Sequence, residues 1–300
     1  MRHHVLLLAL CTALASPALL AATPIDQTRP LDPRGSIEID NLKGRIQVRA
    51  WNRNEVKLSG TLGEGVERLV VEGGGDHLVV KVQYPKQIGV WRSDRSGPTD
   101  LQLQVPLQAS LDIESVSANI DVDGVAPQSL SVDTVSGDVV IAAAPGSADI
   151  NSVSGDQRLT LNSRDVKVES VSGDIALRGR LGGEVHGETV SGQLAIDSNG
   201  TPLRDLQATT VSGDTTLNIA LEDGARVKAE TVSGDIRMQA PKSLSARLSA
   251  ESFSGDLSAP DAKVRKEEYG PGSSLEQRYG NGAAEIRLET FSGDATLRLQ

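Results

Sequence analysis

Five residues, Ser170-Val171-Ser172-Gly173-Asp174, constrain this chain more than any other feature, because near-copies of them recur through its second half. Copies of the form [Ser/Thr]-[Val/Phe]-Ser-Gly-Asp start at Thr134, Ser152, Ser170, Thr210, Thr231, Ser252 and Thr290. Degenerate copies start at Ser115 (ending Ala118-Asn119) and at Thr189 (ending Gly192-Gln193). Successive starts lie 19, 18, 18, 19, 21, 21, 21 and 38 residues apart, the last step being about two repeats. A fixed period of this size marks a repeat architecture, in which each unit buries its apolar face only by stacking on its neighbours.

Aligned on the motif, each repeat reads apolar-x-apolar-x-[Ser/Thr]-[Val/Phe]-Ser-Gly-Asp-apolar-x-apolar, as in the stretch from Val166 to Leu177. Val166 and Val168 are even-numbered, whereas Val171, Ile175 and Leu177 are odd. Strand side chains alternate sides, so burying both sets requires a bend. This reading places the bend between 168 and 171, turns Val171 inward and leaves the flanking hydroxyls (Thr134/Ser136, Ser170/Ser172, Thr210/Ser212, Thr231/Ser233) facing out. Gly137, Gly155, Gly173, Gly213, Gly234, Gly255 and Gly293 would permit the turn. At ~3.3 Å per residue a repeat makes a circuit of roughly 60–70 Å, which suits one coil of a parallel β-solenoid. The expectation is an all-β chain of about nine coils of 18–21 residues. Phe253 and Phe291, which replace the motif valine in the last two copies, would plug the end of the core.

Before the coils, the first 22 residues read as a signal peptide: Arg2, an uncharged apolar run from Val5, and small residues at Ala18, Ala21 and Ala22. Cleavage would leave no membrane span and would remove Cys11, the chain's single cysteine, and with it any disulfide or thiol chemistry. Residues 23–33, with three prolines, read as a linker. Residues 34–106 contain alternating strands such as Ser36–Asp40, Arg45–Arg49 and Leu101–Val105 and are expected to cap the solenoid occupying 107–300. Asn41-Leu-Lys-Gly44 reads as a weak copy of the repeat's turn. Residues 260–282 break the rhythm and are expected to form a projecting hairpin.

The combination of Asn41-Leu-Lys-Gly-Arg-Ile46, Leu103-Gln-Val-Pro106, the tandem Val-Ser-Gly-Asp copies and the closing Gly-Pro-Gly…Thr-Phe-Ser-Gly-Asp294 resembles the exported bacterial β-strand-repeat "putative adhesin" family, a domain of unknown function. The likeness spans most of 34–300. It implies a right-handed solenoid, export to the periplasm or cell surface, and no established enzymatic activity. Ala118-Asn119 and Gln193 depart from the pattern, so the motif's aspartate does not have one strict role.

No catalytic residues or cofactor site are expected. A net charge of −10, or −11 once Arg2 is removed (29 basic against 40 acidic residues), disfavours nucleic acid and anionic lipid. The weak metal candidates are the aspartate column Asp138, Asp156, Asp174, Asp214 and Asp235, continued by Asp256 and Asp294. Stacked carboxylates recruit cations or shift their pKa values, but turn closure through local backbone N–H groups is the simpler role. A calcium-binding solenoid and a polysaccharide lyase or hydrolase are the alternatives. The enzyme reading would place its carboxylates on Asp174 or Asp214, and His186 is read as an ordinary exposed histidine. The chain has only seven aromatic residues (Trp 2, Tyr 3, Phe 2). Trp51, Tyr84, Trp91, Tyr269 and Tyr279 form the candidate patch for an unidentified protein or glycan of the envelope. The functional expectation is a non-enzymatic, exported binding or structural protein.

Overall fold

The computed structural model describes residues 23–85, 96–267 and 271–300, and among them every regular element is a β-strand. Backbone pairing is mostly parallel and in register with the repeat. Ser115 pairs with Thr134, Thr134 with Ser152, Ser152 with Ser170, Ser170 with Thr189, Thr189 with Thr210 and Thr210 with Thr231. A second column stacks the strands after the motif, from Ile120 through Val139, Gln157, Ile175, Leu194 and Thr215 to Ile236. Parallel neighbours of one chain need a crossover, and here the crossover is the rest of the rung.

The core is a stack of aliphatic columns. Leu111, Leu130, Ala148, Val166, Val185, Leu206 and Val227 occupy equivalent positions and are buried, as are Ile113, Val132, Ile150, Val168, Gly187, Ala208 and Ala229 two residues on. No aromatic ring is needed in so narrow an interior. The inward parity then continues one step further than the hydrophobic pattern suggested. The motif's first residue, Ser170 and its equivalents, is buried with 0–8% of its surface exposed, and the valine after it points out. Val116, Val135, Val153, Val171, Val190, Val211, Val232, Phe253 and Phe291 are 42–56% exposed. Both expectations for this position are therefore corrected: Val171 is not a core residue, and Phe253 and Phe291 do not plug the interior. Ser170 and Ile175 both face inward but lie five residues apart, so the odd residue is absorbed at the corner, where Gly173 has φ +146°.

Both ends of the stack depart from chain order. At the start, 36–49 pairs with 110–123 on one side, while 36–40 and 44–51 pair with 77–81 and 99–106 on the other. The first rung is thus covered by residues that follow it in sequence. Asn41 aligns with Ser115 and Gly44 with Ala118, so Asn41–Gly44 is indeed a copy of the corner. At the far end, the last rung slides between two earlier ones. The strand Ala284–Ser292 pairs with 226–233 on one face and with 246–254 on the other. The Phe291 and Phe253 rings consequently stack, 4.7 Å apart and 5° from parallel.

Two segments differ from the sequence reading. Residues 23–30 are not a linker: they pair antiparallel with 55–62. Their prolines are accommodated because this is an edge strand whose free side needs no N–H. In the 260–282 segment the expected strand pair is present, but its second strand is seated on the stack rather than projecting from it. Val264–Lys266 and Ser273–Tyr279 pair antiparallel, and the second also pairs antiparallel with 246–252, closing the stack's edge. Covering an edge in this way prevents further strand addition.

Two charge insertions test the corner. Val168→Asp places a carboxylate in the aliphatic column and should cost about 3 kcal/mol or more. Val171→Asp, on the surface, should shift stability by roughly 0.5 kcal/mol or less. Thermal melts of the two variants check this, and equal destabilisation would contradict the assignment.

Candidate functional site

The repeated corner is also where surface chemistry is concentrated, so its residues are best taken one column at a time. The glycine column is fixed by contact. Gly137, Gly155, Gly173, Gly192, Gly213, Gly234 and Gly293 have φ between +125° and +154°. A Cβ on Gly173 would lie 2.3 Å from the carbonyl oxygen of Gly155, and one on Gly213 would lie 1.9 Å from that of Gly192. Only glycine allows both the conformation and the approach of one rung to the next. Gly255 lacks the positive φ, but its Cβ would still meet the Gly293 oxygen at 2.0 Å.

Buried hydroxyls sit just before the corner. Thr210 Oγ1 donates to the Gly213 carbonyl, Ser252 Oγ to that of Gly293, and Ser115 Oγ to that of Asn41 while accepting from the Ala118 N–H. At these rungs the corner exposes carbonyls that the hydroxyl can reach, whereas the hydroxyls of Ser170, Thr189 and Thr231 are buried without a hydrogen-bond partner. The hydroxyl pairs expected on the surface are thus split, one inside and one outside.

The aspartate column works between rungs. Asp138 Oδ1 accepts the N–H of Asp156, Asp156 that of Asp174, and Asp174 that of Gln193. Asp214 receives Asp235, Asp235 receives Asp294, and Asp294 receives Asp256. Asn119 serves the same role for Asp138, which explains why the degenerate copy is tolerated. Each carboxylate closes the turn above rather than its own. Arg237 bridges two of them, 2.6 Å from Asp214 and 2.5 Å from Asp235, and this contact holds the Asp214 carboxyl below the usual carboxylate range.

Beside the exposed valines runs a further acidic column, offset by two residues: Asp40, Glu114, Asp133, Asn151, Glu169 and Glu188 on successive rungs. Valines and acids together line a shallow groove of 750 Å³ that reaches from Leu42 to Val190. Its character changes along the axis. Lys167, Lys228 and Arg287 pair with Glu169, Glu230 and Glu289 in the later rungs. In the early rungs the corresponding positions are Glu38, Asp112 and Asp149. Burial and mutual repulsion there push the carboxyls of Asp112 and Glu114 above their ordinary values.

Glu169, His186 and Glu188 form the one His-containing group among the described residues able to offer three ligand atoms, all within 4.8 Å of one another. His186 Nε2 lies 3.8 Å from Glu169 and 3.6 Å from Glu188. It is half-buried between carboxylates rather than freely exposed, but Lys167 already holds the same Glu169 oxygen at 2.9 Å. The described members of the aromatic patch fall at opposite ends of the stack. Trp51 Nε1 donates to the Glu55 carbonyl and the Tyr84 hydroxyl to Asn41 Oδ1, both in the first rungs. Tyr279 is buried at the opposite end, donating to the Pro260 carbonyl. Trp91 and Tyr269 lie outside the described residues.

The valine ridge is the surface feature that sequence reasoning missed. Its signal was present in the repetition itself, since the outward position four residues earlier varies from copy to copy while this one stays Val or Phe.

Residues 36–298 match the family described as Toastrack DUF4097. No curated protein matches the chain. Among solved structures, the "putative adhesin" of Parabacteroides distasonis ATCC 8503 is 10% identical, with a TM-score of 0.51 over 93% of this chain and 98% of that one. A "putative adhesin" of Bacteroides fragilis NCTC 9343 is 12% identical, with a TM-score of 0.42 over 94% and 99%. A "putative lipid binding protein" of P. distasonis ATCC 8503 is also 12% identical, with a TM-score of 0.42 over 92% and 97%. At such identities the first of these shows a shared fold.

Two measurements check the columns. Gly173→Ala should destabilise the protein by about 2 kcal/mol or more, through both strain and the clash with Gly155. The Asp112→Asn/Glu114→Gln double variant should melt higher than the parent at neutral pH. A raised carboxyl pKa means that ionisation opposes folding, so that penalty is present at high pH and vanishes as pH falls through the folded pKa. The gap between variant and parent should therefore close on acidification, and a variant that melts lower at neutral pH would contradict the repulsion.

Proposed function

The chain belongs to the Toastrack DUF4097 family, and on that premise we propose that it is a non-enzymatic exported binding protein of the cell envelope. In this reading the signal peptide is cleaved near Ala22, and the mature chain is periplasmic or displayed at the cell surface. The rungs form a right-handed solenoid of about nine coils, the hand that parallel crossovers almost always take. The observation that carries the functional reading is the continuous exposed column of seven valines and two phenylalanines along the stack. Apolar surface repeated in register on a rigid scaffold is what a protein retains for contact with a partner. The aspartates nearest the column accept backbone N–H groups of the adjoining rung, which is a structural use. The "putative adhesin" name of the Parabacteroides structure is compatible with a contact role for this fold.

Incubation with isolated envelopes and with uronic-acid polymers tests the proposal. The protein should sediment with the envelopes and should leave the polymers intact. Polymer cleavage that disappears in Asp174→Asn or Asp214→Asn would overturn it in favour of an enzyme.

A further inference from the structure

The ridge has a chemistry that narrows the partner. Nine rungs in a row keep Val or Phe at one outward position, whereas the outward position four residues earlier runs Asp112, Ser131, Asp149, Lys167, His186 and Gln207. Strand propensity alone would accept Thr, Tyr or Ile at the ridge equally well. Acidic groups flank the ridge on both sides. On one side stand Asp40, Glu114 and Asp133, and on the other Asp138, Asp156 and Asp174. Lys81 pairs with Asp40 at the first rung and Lys167, Lys228 and Arg287 serve later ones, so between them Glu114 and Asp133 form no salt bridge among the described residues. The groove beside the ridge takes in the rungs of Glu114 and Asp133 and runs on to Glu169, which Lys167 pairs, and Glu188.

We propose that this groove docks a basic amphipathic helical segment of a partner polypeptide, with its apolar stripe on the ridge and Lys or Arg on both flanks. The inference rests on the binding reading above and specifies its partner. Charge complementarity selects this occupant. A second copy of the chain would bring acidic columns against acidic columns in a molecule of net charge −10, and an anionic bilayer would be repelled in the same way. The dimensions agree. From Leu42 to Val190 there are five rung steps, roughly 24 Å at ~4.8 Å each, which about 16 helical residues would span.

The probe is an 18-residue Leu/Lys amphipathic peptide, compared with a scrambled peptide of the same composition, by fluorescence anisotropy on the mature protein. The amphipathic peptide should bind at least tenfold more tightly than the scrambled one. Val135→Thr/Val153→Thr/Val171→Thr should weaken it at least tenfold, because threonine keeps the shape and loses the apolar contact. Glu114→Gln/Asp133→Asn should weaken it similarly and flatten its salt dependence. Melting temperatures no lower than the parent's in both variants establish that the loss is not unfolding. Equal binding of both peptides, or binding indifferent to the valine changes, would overturn the proposal as non-specific charge attraction. A dimer in sedimentation that the valine changes dissolve would overturn it in favour of a second copy. Either failure, with envelope sedimentation intact, would leave the binding reading standing on another face.

Discussion

Every rung meets the next through a glycine that sits almost against the previous glycine's carbonyl, and the rest of the molecule follows from that approach. A Cβ anywhere along the column would lie 1.9–2.3 Å from that oxygen. The contact holds successive corners in register, which holds the flanking strands in register in turn. Register then aligns the aliphatic columns, the hydroxyls that serve the corner's carbonyls, and the aspartates that receive the next rung's N–H. None of these columns could form alone, because a single rung presents both faces to water.

The order of the rungs shows how such a stack is finished. The first rung is covered by residues 77–81 and 99–106, and the last is inserted between 226–233 and 246–254. The exposed edges fall to segments that can be closed by antiparallel pairing, 55–62 at one end and 273–279 at the other. Covered edges suppress the end-to-end pairing that would turn a solenoid into a fibre. Seating the last rung there relies on contacts between residues far apart in sequence, of the kind associated with slow folding.

The stacking was legible in the sequence because the repeat period and the alternation of Val, Ile and Leu report it directly. The side on which Val171 lies was not. Hydrophobic patterning treats a valine in a core column and a valine on an exposed ridge alike, and it treats Ser170 as a surface residue. Ser170 is buried because the inward parity of Val166 and Val168 continues to it before the corner turns, which the residue's polarity does not reveal. The 23–30 strand was hidden by its prolines, although an edge strand tolerates them, and Asn41–Gly44 could be aligned only because it carries the same corner. The Phe253–Phe291 stack required the reversed rung order, since 38 residues separate the two in sequence.

The inversion at the corner, hydroxyl inside and valine outside, carries both the architecture and the functional reading, and a single reactive atom can report it. With Cys11 replaced by serine, no other cysteine remains in the chain. Single substitutions Ser170→Cys, Val171→Cys, Thr189→Cys and Val190→Cys can then be compared for their rates of reaction with a water-soluble thiol reagent in the folded protein. Cysteines at 171 and 190 should react at rates close to those of an unfolded control, and those at 170 and 189 should be slower by about two orders of magnitude or more, as burial requires. Fast reaction at 170 and 189 with protection at 171 and 190 would contradict the account.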